Sequence, residues 1–290
     1  MRIWMLAGGL ALAAATIVSC GGLAFTAANA PAMFGDFERR SDIAYGEHPR
    51  QQLDVYRPNA AGTSGKAPII VFWYGGSFER GRKSQYRFVG AALAEAGYVA
   101  VLPDYRLYPE VKFPGFIDDG ASAVAWAANH AAEIGGDASR IFLAGHSAGA
   151  HIAAMLAYDA ERLSRPGVDP AAIRGFIGLS GPYALDPNTD SLRTIFAAPY
   201  GFDDWQPARR VHAGAPRALL IHGEADTLVW ASHSREMAKS LEAAGVPITL
   251  RLYPGREHAD TVAAFAAAAP HKLPVLDEIR KFVGADLPGG

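Results

Sequence analysis

One serine lies in a pattern that favours nucleophilic chemistry. The motif Gly-His-Ser-Ala-Gly at 145–149 fits Gly-x-Ser-x-Gly, with an apolar run before it and an apolar helical segment after it. This context predicts a buried strand, a sharp turn and a helix, with the Ser147 hydroxyl exposed at the end of the strand. Without the helix and strand, the same motif would be an ordinary glycine-bounded turn. We therefore predict that Ser147 is a nucleophile.

A serine nucleophile needs a histidine base, and the histidine needs a carboxylate to fix its tautomer. Two predicted strands, 218–222 and 248–252, each lead into a polar loop at the sheet edge where ligands bind in α/β proteins. The second loop contains His258, and the first contains two carboxylates, Glu224 and Asp226. The later carboxylate has more room to reach the histidine, so we predict Asp226 as the acid and Glu224 as the alternative.

The other histidines fit the role of base less well. His146 is expected to flank the nucleophile, His151 to pack on the following helix and His222 to end a buried strand. Six more histidines are spread along the chain, and only His258 among them has both the order and the loop position that the chemistry requires.

A glycine-containing loop offers hydrogen-bond donors for an oxyanion. Gly75, Gly76 and Ser77 follow the apolar run 68–74, which predicts a fully buried strand. Glycines free the backbone N–H groups to face a substrate, and the N–H of Ala148 points to the same place from the helix start. The alternative is a plain glycine turn. As donors, these groups would each contribute about 2.7–4 kcal/mol to transition-state stabilisation.

The surrounding sequence predicts one α/β domain. Two segments of alternating polarity, 42–46 and 52–56, predict antiparallel strands, and buried strands then alternate with helices. This order predicts a mostly parallel central sheet flanked by helices. The later predicted strands are 68–74, 98–102, 141–144, 175–179, 218–222 and 248–252, and the helices are 84–97, 117–132, 150–158, 233–244 and 271–283.

An irregular segment at 181–214 interrupts the alternation. Long irregular inserts in compact domains are usually functional, so we expect a small lid over the site. The insert contains Tyr183, Phe196, Tyr200, Phe202 and Trp205. These aromatic residues suggest either an apolar pocket or a lid that they pack shut.

Composition limits the partners. Half of the 290 residues are hydrophobic, which suits a single large domain, and the net charge is −2. This charge argues against nucleic acid or an anionic surface as the main partner. The proposed chemistry requires no metal and no cofactor, so we expect none.

The N-terminus has the pattern of an export signal. No charged residue lies between Arg2 and Asp36, and 3–18 is almost entirely apolar, although short for a membrane span. The only cysteine, Cys20, follows Ile-Val-Ser directly, which resembles the bacterial lipobox. The alternatives are a freely secreted form, cut after Ala30, and an uncleaved anchor.

The lipoprotein hypothesis divides the chain into three parts. We expect a signal segment at 1–19, a tether at 20–40 that begins with lipidated Cys20, and the α/β domain, with its insert, at 41–290. The lipid would tether the protein to a membrane, at the outer membrane or the periplasmic face, because each buried methylene contributes about 0.8 kcal/mol.

Several motifs together resemble a known family. The motif at 145–149, the segment Asp-Tyr-Arg-Leu-Tyr-Pro-Glu at 104–110 and the Gly-Gly loop at 75–76 resemble the hormone-sensitive-lipase-like branch of the α/β-hydrolases. The segments 44–46, 52–56 and 149–154 are similar to kynurenine-formamidase-like carboxylesterases and isoprenylcysteine methylesterases.

The resemblance covers about residues 40–285 and implies the α/β-hydrolase fold. Carried over residue by residue, it implies Ser147, Asp226 and His258 as the triad, Gly76, Ser77 and Ala148 as oxyanion donors, and structural roles for Arg106 and Glu110. One departure is Tyr74, which stands where the family's oxyanion motif begins with histidine.

The leading prediction is a serine carboxylic-ester hydrolase that acts through an acyl-enzyme on small or medium apolar esters. An arylformamidase-like amidase with the same triad is one alternative. A catalytically silent binding module is another, because fold alone does not imply activity.

Overall fold

A twisted sheet of eight strands forms the centre of the computed structural model, which describes residues 24–59, 66–267, 269 and 272–284. The predicted signal segment and Cys20 lie outside the described residues. The strand order is β1-β2-β4-β3-β5-β6-β7-β8. The strands are β1 (Phe37–Ala44), β2 (Gln52–Pro58), β3 (Ala67–Trp73), β4 (Val99–Pro103), β5 (Gly136–His146), β6 (Ile173–Leu179), β7 (Ala218–Gly223) and β8 (Ile248–Tyr253).

Strands β1 and β2 pair antiparallel, β2 pairs antiparallel with β4, and the neighbours from β4 to β8 are parallel. The predicted α/β architecture is therefore confirmed. The helices between and after the strands are α1 (Arg87–Glu95), α2 (Gly115–Asn129), α3 (Ala148–Tyr158), α4 (Ala160–Ser164), α5 (Asp190–Ile195), α6 (Ser232–Ala243), α7 (Asp260–Ala263) and α8 (Val275–Gly284).

Burial explains why the central strands are continuous apolar runs. In β3, the side chains of Ile69, Ile70 and Val71 are all fully buried although they alternate between the two faces. A parallel sheet has both faces covered, so neither face selects polar residues. Helix α3 is buried along its whole length, which explains its lack of a polar stripe.

The first strand begins earlier than the sequence predicts. Strand β1 starts at Phe37, so residues 37–40 belong to the sheet and not to a tether. The Glu38 carboxylate pairs with the Arg57 guanidinium across β1 and β2, and the Phe37 ring lies 5.7 Å from the Tyr56 ring. These cross-strand contacts extend the strand beyond the alternating pattern at 42–46.

The segment before β1 is also docked on the domain. Residues 24–29 form a short helical turn, and Asn29 Nδ2 donates hydrogen bonds to the carbonyls of Ser84 (3.2 Å) and Gln85 (3.0 Å). Asn29 Oδ1 accepts from the N–H of Phe88 at 3.0 Å. Asn29 therefore caps the start of α1, whose own N-cap residue makes no side-chain hydrogen bond.

Two helix boundaries differ from the prediction for local reasons. Helix α1 ends at Glu95, because Gly97 adopts a φ of +96° that stops the helix. Helix α8 starts at Val275, directly after Pro274. A proline disfavours helical backbone angles at the residue before it, which explains why the helix does not begin earlier.

The turn into α3 packs unusually close to β3. A Cβ atom added to Gly149 would lie 2.1 Å from the Trp73 carbonyl oxygen, and one added to Gly145 would lie 2.3 Å from the Gly149 carbonyl oxygen. Both contacts are with backbone, which cannot swing aside. The two glycines of the motif are therefore required by the approach of α3 to the sheet.

This approach gives a first prediction. In a helix, alanine is more favourable than glycine by about 1 kcal/mol. We nevertheless expect Gly149→Ala to destabilise the protein by about 3 kcal/mol or more, because the added methyl group would overlap backbone atoms. Thermal unfolding should show a Tm at least about 5 °C lower. Gly284→Ala is the control, since Gly284 ends α8 with no atom within 4 Å of an added Cβ. Equal Tm values for the two variants would contradict the close packing.

Candidate active site

Ser147 occupies the turn between β5 and α3 in a strained backbone conformation. Its φ of 56° and ψ of −125° lie outside the regions that L-residues normally adopt. The Ser147 N–H donates to the Leu179 carbonyl at 2.9 Å, and the Ser147 carbonyl accepts from the N–H groups of Ala150 and His151. Hydrogen bonds on both sides of the residue thus hold the strained conformation that the motif predicts.

His258 and Asp226 meet on the loops that follow β8 and β7. His258 Nδ1 lies 2.7 Å from Asp226 Oδ2. An ionised carboxylate only accepts hydrogen bonds, so the proton of the neutral ring is on Nδ1 and Nε2 is left as an acceptor. This is the tautomer that a general base for serine requires.

The loop with His258 packs against the strand that leads to Ser147. The His146 and His258 rings lie 4.8 Å apart, and His146 Nε2 donates to the His258 carbonyl at 3.0 Å. Within the described part of the chain, no hydrogen bond joins Ser147 Oγ to His258. Such hydrogen bonds are often long in ligand-free enzymes and tighten when substrate binds.

Asp226 rather than Glu224 contacts the histidine. Burial alone would raise the pKa of Asp226, but hydrogen bonds from His222, His258 and the Val229 N–H outweigh it and hold the pKa below its usual range. The Glu224 carboxylate is exposed and pairs with Arg235 at 2.5 Å. The geometry therefore favours the first of the two predicted acids.

The glycine loop approaches the serine as expected. A Cβ added to Gly75 would lie 2.8 Å from Ser147 Cβ. Gly75 therefore lies directly beside the serine, and its role as an oxyanion donor stays a prediction.

The remaining predicted donors keep positions beside the serine. Ser77 and Phe78 both have positive φ values, 56° and 65°, which turn the loop sharply after Gly76. Ala148 is the first residue of α3, so its N–H has no partner within the helix. Ser77, Ser147 and Ala148 line the same cavity.

That cavity has a volume of about 440 Å³ and lies between the glycine loop, the insert and the loop after Asp226. Its walls mix polar and apolar side chains, namely Ser77, Phe78, Glu79, Arg80, Ser147, Ala148, Pro182, Leu185, Asp186, Asn188, Thr189, Ser191, Leu192, Thr227, Leu228, Val229 and His233. A larger cavity of about 550 Å³, between α1 and residues 264–280, contains none of the predicted site residues.

The aromatic residues of the insert do not line the cavity beside Ser147. The Phe196 ring packs 5.2 Å from Phe78, 5.7 Å from Phe113 and 5.6 Å from Trp205. Tyr183 is fully buried. The second of the two expectations for the insert, aromatic residues that pack within it, therefore describes Tyr183, Phe196 and Trp205, whereas Phe202 is exposed.

Two other histidines are buried and uncharged. Burial and the neighbouring His258 lower the pKa of His146 to about 3, and burial lowers the pKa of His151 to about 4. His151 Nε2 lies 2.7 Å from the Trp205 carbonyl, so this side chain packs behind the site as predicted. Among the described residues, no three His, Cys, Asp or Glu side chains are grouped as a metal site would need.

The side chain that the sequence reading missed is His222. It was expected only to end a strand, but its Nε2 lies 3.2 Å from Asp226 Oδ2. The available signal was its position, four residues before the predicted acid on the strand that leads to it. Cys20, the predicted lipidation site, lies outside the described residues.

Comparison with known proteins identifies the fold family. A sequence model of the α/β hydrolase fold matches residues 70–261. The chain belongs to the α/β-hydrolase fold family. This membership confirms the fold that the motifs implied, and the strand–turn–helix around Ser147 is the feature of the family that the sequence shows most clearly.

Relatives within the family are esterases. The chain is 30% identical over 243 residues to isoprenylcysteine alpha-carbonyl methylesterase of Arabidopsis thaliana, covering 76% of this chain and 56% of the relative. It is 31% identical over 226 residues to esterase LipC of Mycobacterium tuberculosis, covering 71% of this chain and 56% of that protein. The chain thus spans just over half the length of the curated relatives it matches.

A solved esterase has a similar fold. The butyrate-bound structure of a thermophilic esterase from Thermogutta terrifontis has 25% identity and a TM-score of 0.71, covering 88% of this chain and 97% of that one. The same esterase has been solved after phosphonylation by cyclosarin.

The two carboxylates of the acid loop give a second prediction. Asp226→Asn should lower kcat by about 10⁴-fold, because an amide can place His258 in the wrong tautomer. Glu224→Gln is the matched control, and we expect it to change kcat less than about threefold, because it removes only an exposed ion pair. The measurement is steady-state hydrolysis of a nitrophenyl ester. Reversed losses would make Glu224 the acid.

Proposed function

We propose that the chain is a serine carboxylic-ester hydrolase that acts through an acyl-enzyme. The observation that carries the proposal is the 2.7 Å contact of His258 Nδ1 with Asp226, beside a strained serine at a helix start. His258 Nε2 accepts the Ser147 proton while Ser147 Oγ attacks the ester carbonyl. The N–H groups of Gly76, Ser77 and Ala148 stabilise the oxyanion. The alcohol leaves with the proton from His258, and water then releases the acid.

Esters are favoured over amides because the relatives bear the names of esterases and methylesterases. For the substrate we propose small or medium apolar esters. The 440 Å³ cavity lies in the lower part of the range for small-molecule sites. Pro182, Leu185 and Leu228 give the cavity an apolar wall, and Leu228 is 69% exposed at this site. The bound butyrate of the Thermogutta esterase is a short acyl group of this kind.

Loss of the serine tests the proposed function. We expect Ser147→Ala to fold normally, to lose covalent labelling by a fluorophosphonate probe, and to lower kcat by about 10⁴-fold or more. The control is Ser139→Ala on the distant half of the same strand, which should keep both labelling and activity. The readouts are intact mass after labelling and hydrolysis of nitrophenyl esters of increasing chain length. Full labelling of Ser147→Ala would refute the assignment of the nucleophile.

We further propose that the protein is exported and held at a membrane through lipidated Cys20. The proposal is supported by the apolar run at 3–18 and by the lipobox-like Ile-Val-Ser before Cys20. Only residues 21–23 separate Cys20 from the segment that Asn29 docks on the domain, so the anchor would be short. Among the described residues, no helix has the length and apolar character to cross a membrane.

Cell fractionation tests the anchor. We expect the native chain to partition with membranes and to carry added acyl mass, while Cys20→Ser remains unprocessed or is misdirected, because only a thiol accepts the lipid. Ser19→Ala is a useful control, since a small residue at that position preserves the lipobox-like pattern. If the native chain and Cys20→Ser appear as the same protein without added mass, an ordinary export signal replaces the lipoprotein hypothesis.

A further inference from the structure

We propose that His222, fixed by Ser234, is a positioning residue that holds the Asp226 carboxylate in the orientation that His258 requires. The proposal rests on the proposed function, because it assigns Asp226 and His258 to the reacting site. It adds a second imidazole and a serine hydroxyl to the network behind the nucleophile.

The hydrogen bonds of His222 define its tautomer. Nε2 lies 3.2 Å from Asp226 Oδ2 and 2.8 Å from the Val229 carbonyl, and Nδ1 lies 2.7 Å from Ser234 Oγ. Both neighbours of Nε2 are acceptors, so Nε2 carries the proton. Nδ1 must then accept the hydrogen bond from the Ser234 hydroxyl. Ser234 thus keeps the proton of His222 on the nitrogen that faces Asp226.

The Asp226 carboxylate is held on both of its oxygens. Oδ1 accepts from the N–H groups of Leu228 (3.0 Å) and Val229 (2.8 Å). Oδ2 accepts from His258 and His222, so four donors fix the plane of the carboxylate. Removing His222 leaves Oδ2 with His258 alone and reduces the number of donors from four to three, so the carboxylate is held less firmly in the orientation that His258 requires.

The support behind this network is rigid. His222 and Ser234 are both fully buried, and Ser234 lies on α6, whose Met237 and Leu241 are also fully buried. A buried polar group is stabilising only when its hydrogen bonds are made, and both nitrogens of His222 have partners here. An apolar side chain could fill the same space without any hydrogen-bond partner. The hydrogen bonds on both nitrogens of His222 therefore indicate a role beyond packing.

His222 also changes the charge that Asp226 presents to His258. A donated hydrogen bond withdraws negative charge from Oδ2, so its loss should strengthen the attraction of the carboxylate for protonated His258. The other titratable groups that face this network are His146 on β5 and His233 on α6, both with a pKa lowered mainly by burial. Removal of the His222 hydrogen bond should therefore move the acid limb of the pH–rate profile to higher pH.

The test compares His222→Leu, which removes the donor, with His222→Gln, which can return an N–H to the same oxygen. We expect His222→Leu to lower kcat by about tenfold or more with KM changed less than about threefold, as loss of one hydrogen bond to a charged group predicts. Its acid limb should shift to higher pH, and His222→Gln should recover most of both changes. A His222→Leu variant with a lower Tm but an unchanged pH profile would overturn the proposal.

A second variant serves if His222→Leu does not fold. Ser234→Ala keeps the imidazole but frees its tautomer, and we expect kcat about fivefold lower, as loss of one neutral hydrogen bond predicts. Ser240→Ala on the same helix is the control and should leave kcat and the pH profile unchanged. Equal pH profiles for Ser234→Ala and Ser240→Ala would count against the tautomer-fixing role.

Proton NMR separates this proposal from the proposed function. The proton on His258 Nδ1 should give a far-downfield resonance that moves in His222→Leu and returns toward its place in His222→Gln. This readout needs no ester substrate, so an inactive chain would refute the proposed function and leave the network testable. A resonance that is the same in all three proteins would show that His222 does not act on the Asp226–His258 pair.

Discussion

The site depends on the close packing of α3 against β3, which is possible because Gly149 has no side chain. Gly149 lies against the Trp73 carbonyl so closely that even a methyl group would overlap it. This approach forces the chain to reverse within one residue between β5 and α3. Ser147 occupies that residue at a φ of 56°, and Ala148 follows as the first residue of the helix. The nucleophile position and one oxyanion donor are thus consequences of backbone packing.

The charges around the serine are organised by burial and hydrogen bonding together. Burial lowers the pKa of His146 and of His151 far enough that both remain neutral, so neither adds positive charge to the site. Hydrogen bonds overcome burial at Asp226 and keep its carboxylate ionised. The result is one fixed negative charge against His258, with two neutral histidines nearby, which is the arrangement that stabilises a transient imidazolium.

Local patterns in the sequence predict the fold, and they also indicate Asp226 and His258, which the structure brings into contact. Each of the informative patterns involves only a few neighbouring residues. They are the apolar run of β3, the Gly-x-Ser-x-Gly turn and the loops after β7 and β8. The features that the sequence did not predict depend on distant contacts. Asn29, for example, donates hydrogen bonds to residues more than 50 positions away. A periodicity or a short motif carries no information about such partners.

The contact of His222 with Asp226 shows a second limit on what can be predicted from the sequence. The two residues are close in sequence, but nothing in a strand-ending histidine specifies which of its nitrogens is protonated. That choice is made by Ser234, twelve residues later on α6. The acid of the site can therefore be identified from its loop, whereas its supporting hydrogen bonds require the packed structure.

The insert between β6 and β7 contains buried residues that hold it on the domain and other residues that line the cavity. Phe196 and Trp205 pack inside the domain, while Asp186, Asn188 and Ser191 line the cavity. Changes to the cavity-facing positions leave the buried anchors untouched, so they carry little risk to folding. Substitutions at this edge can thus change the shape and polarity of the cavity without disturbing the buried side chains, which makes the insert a favourable region for evolution and for engineering.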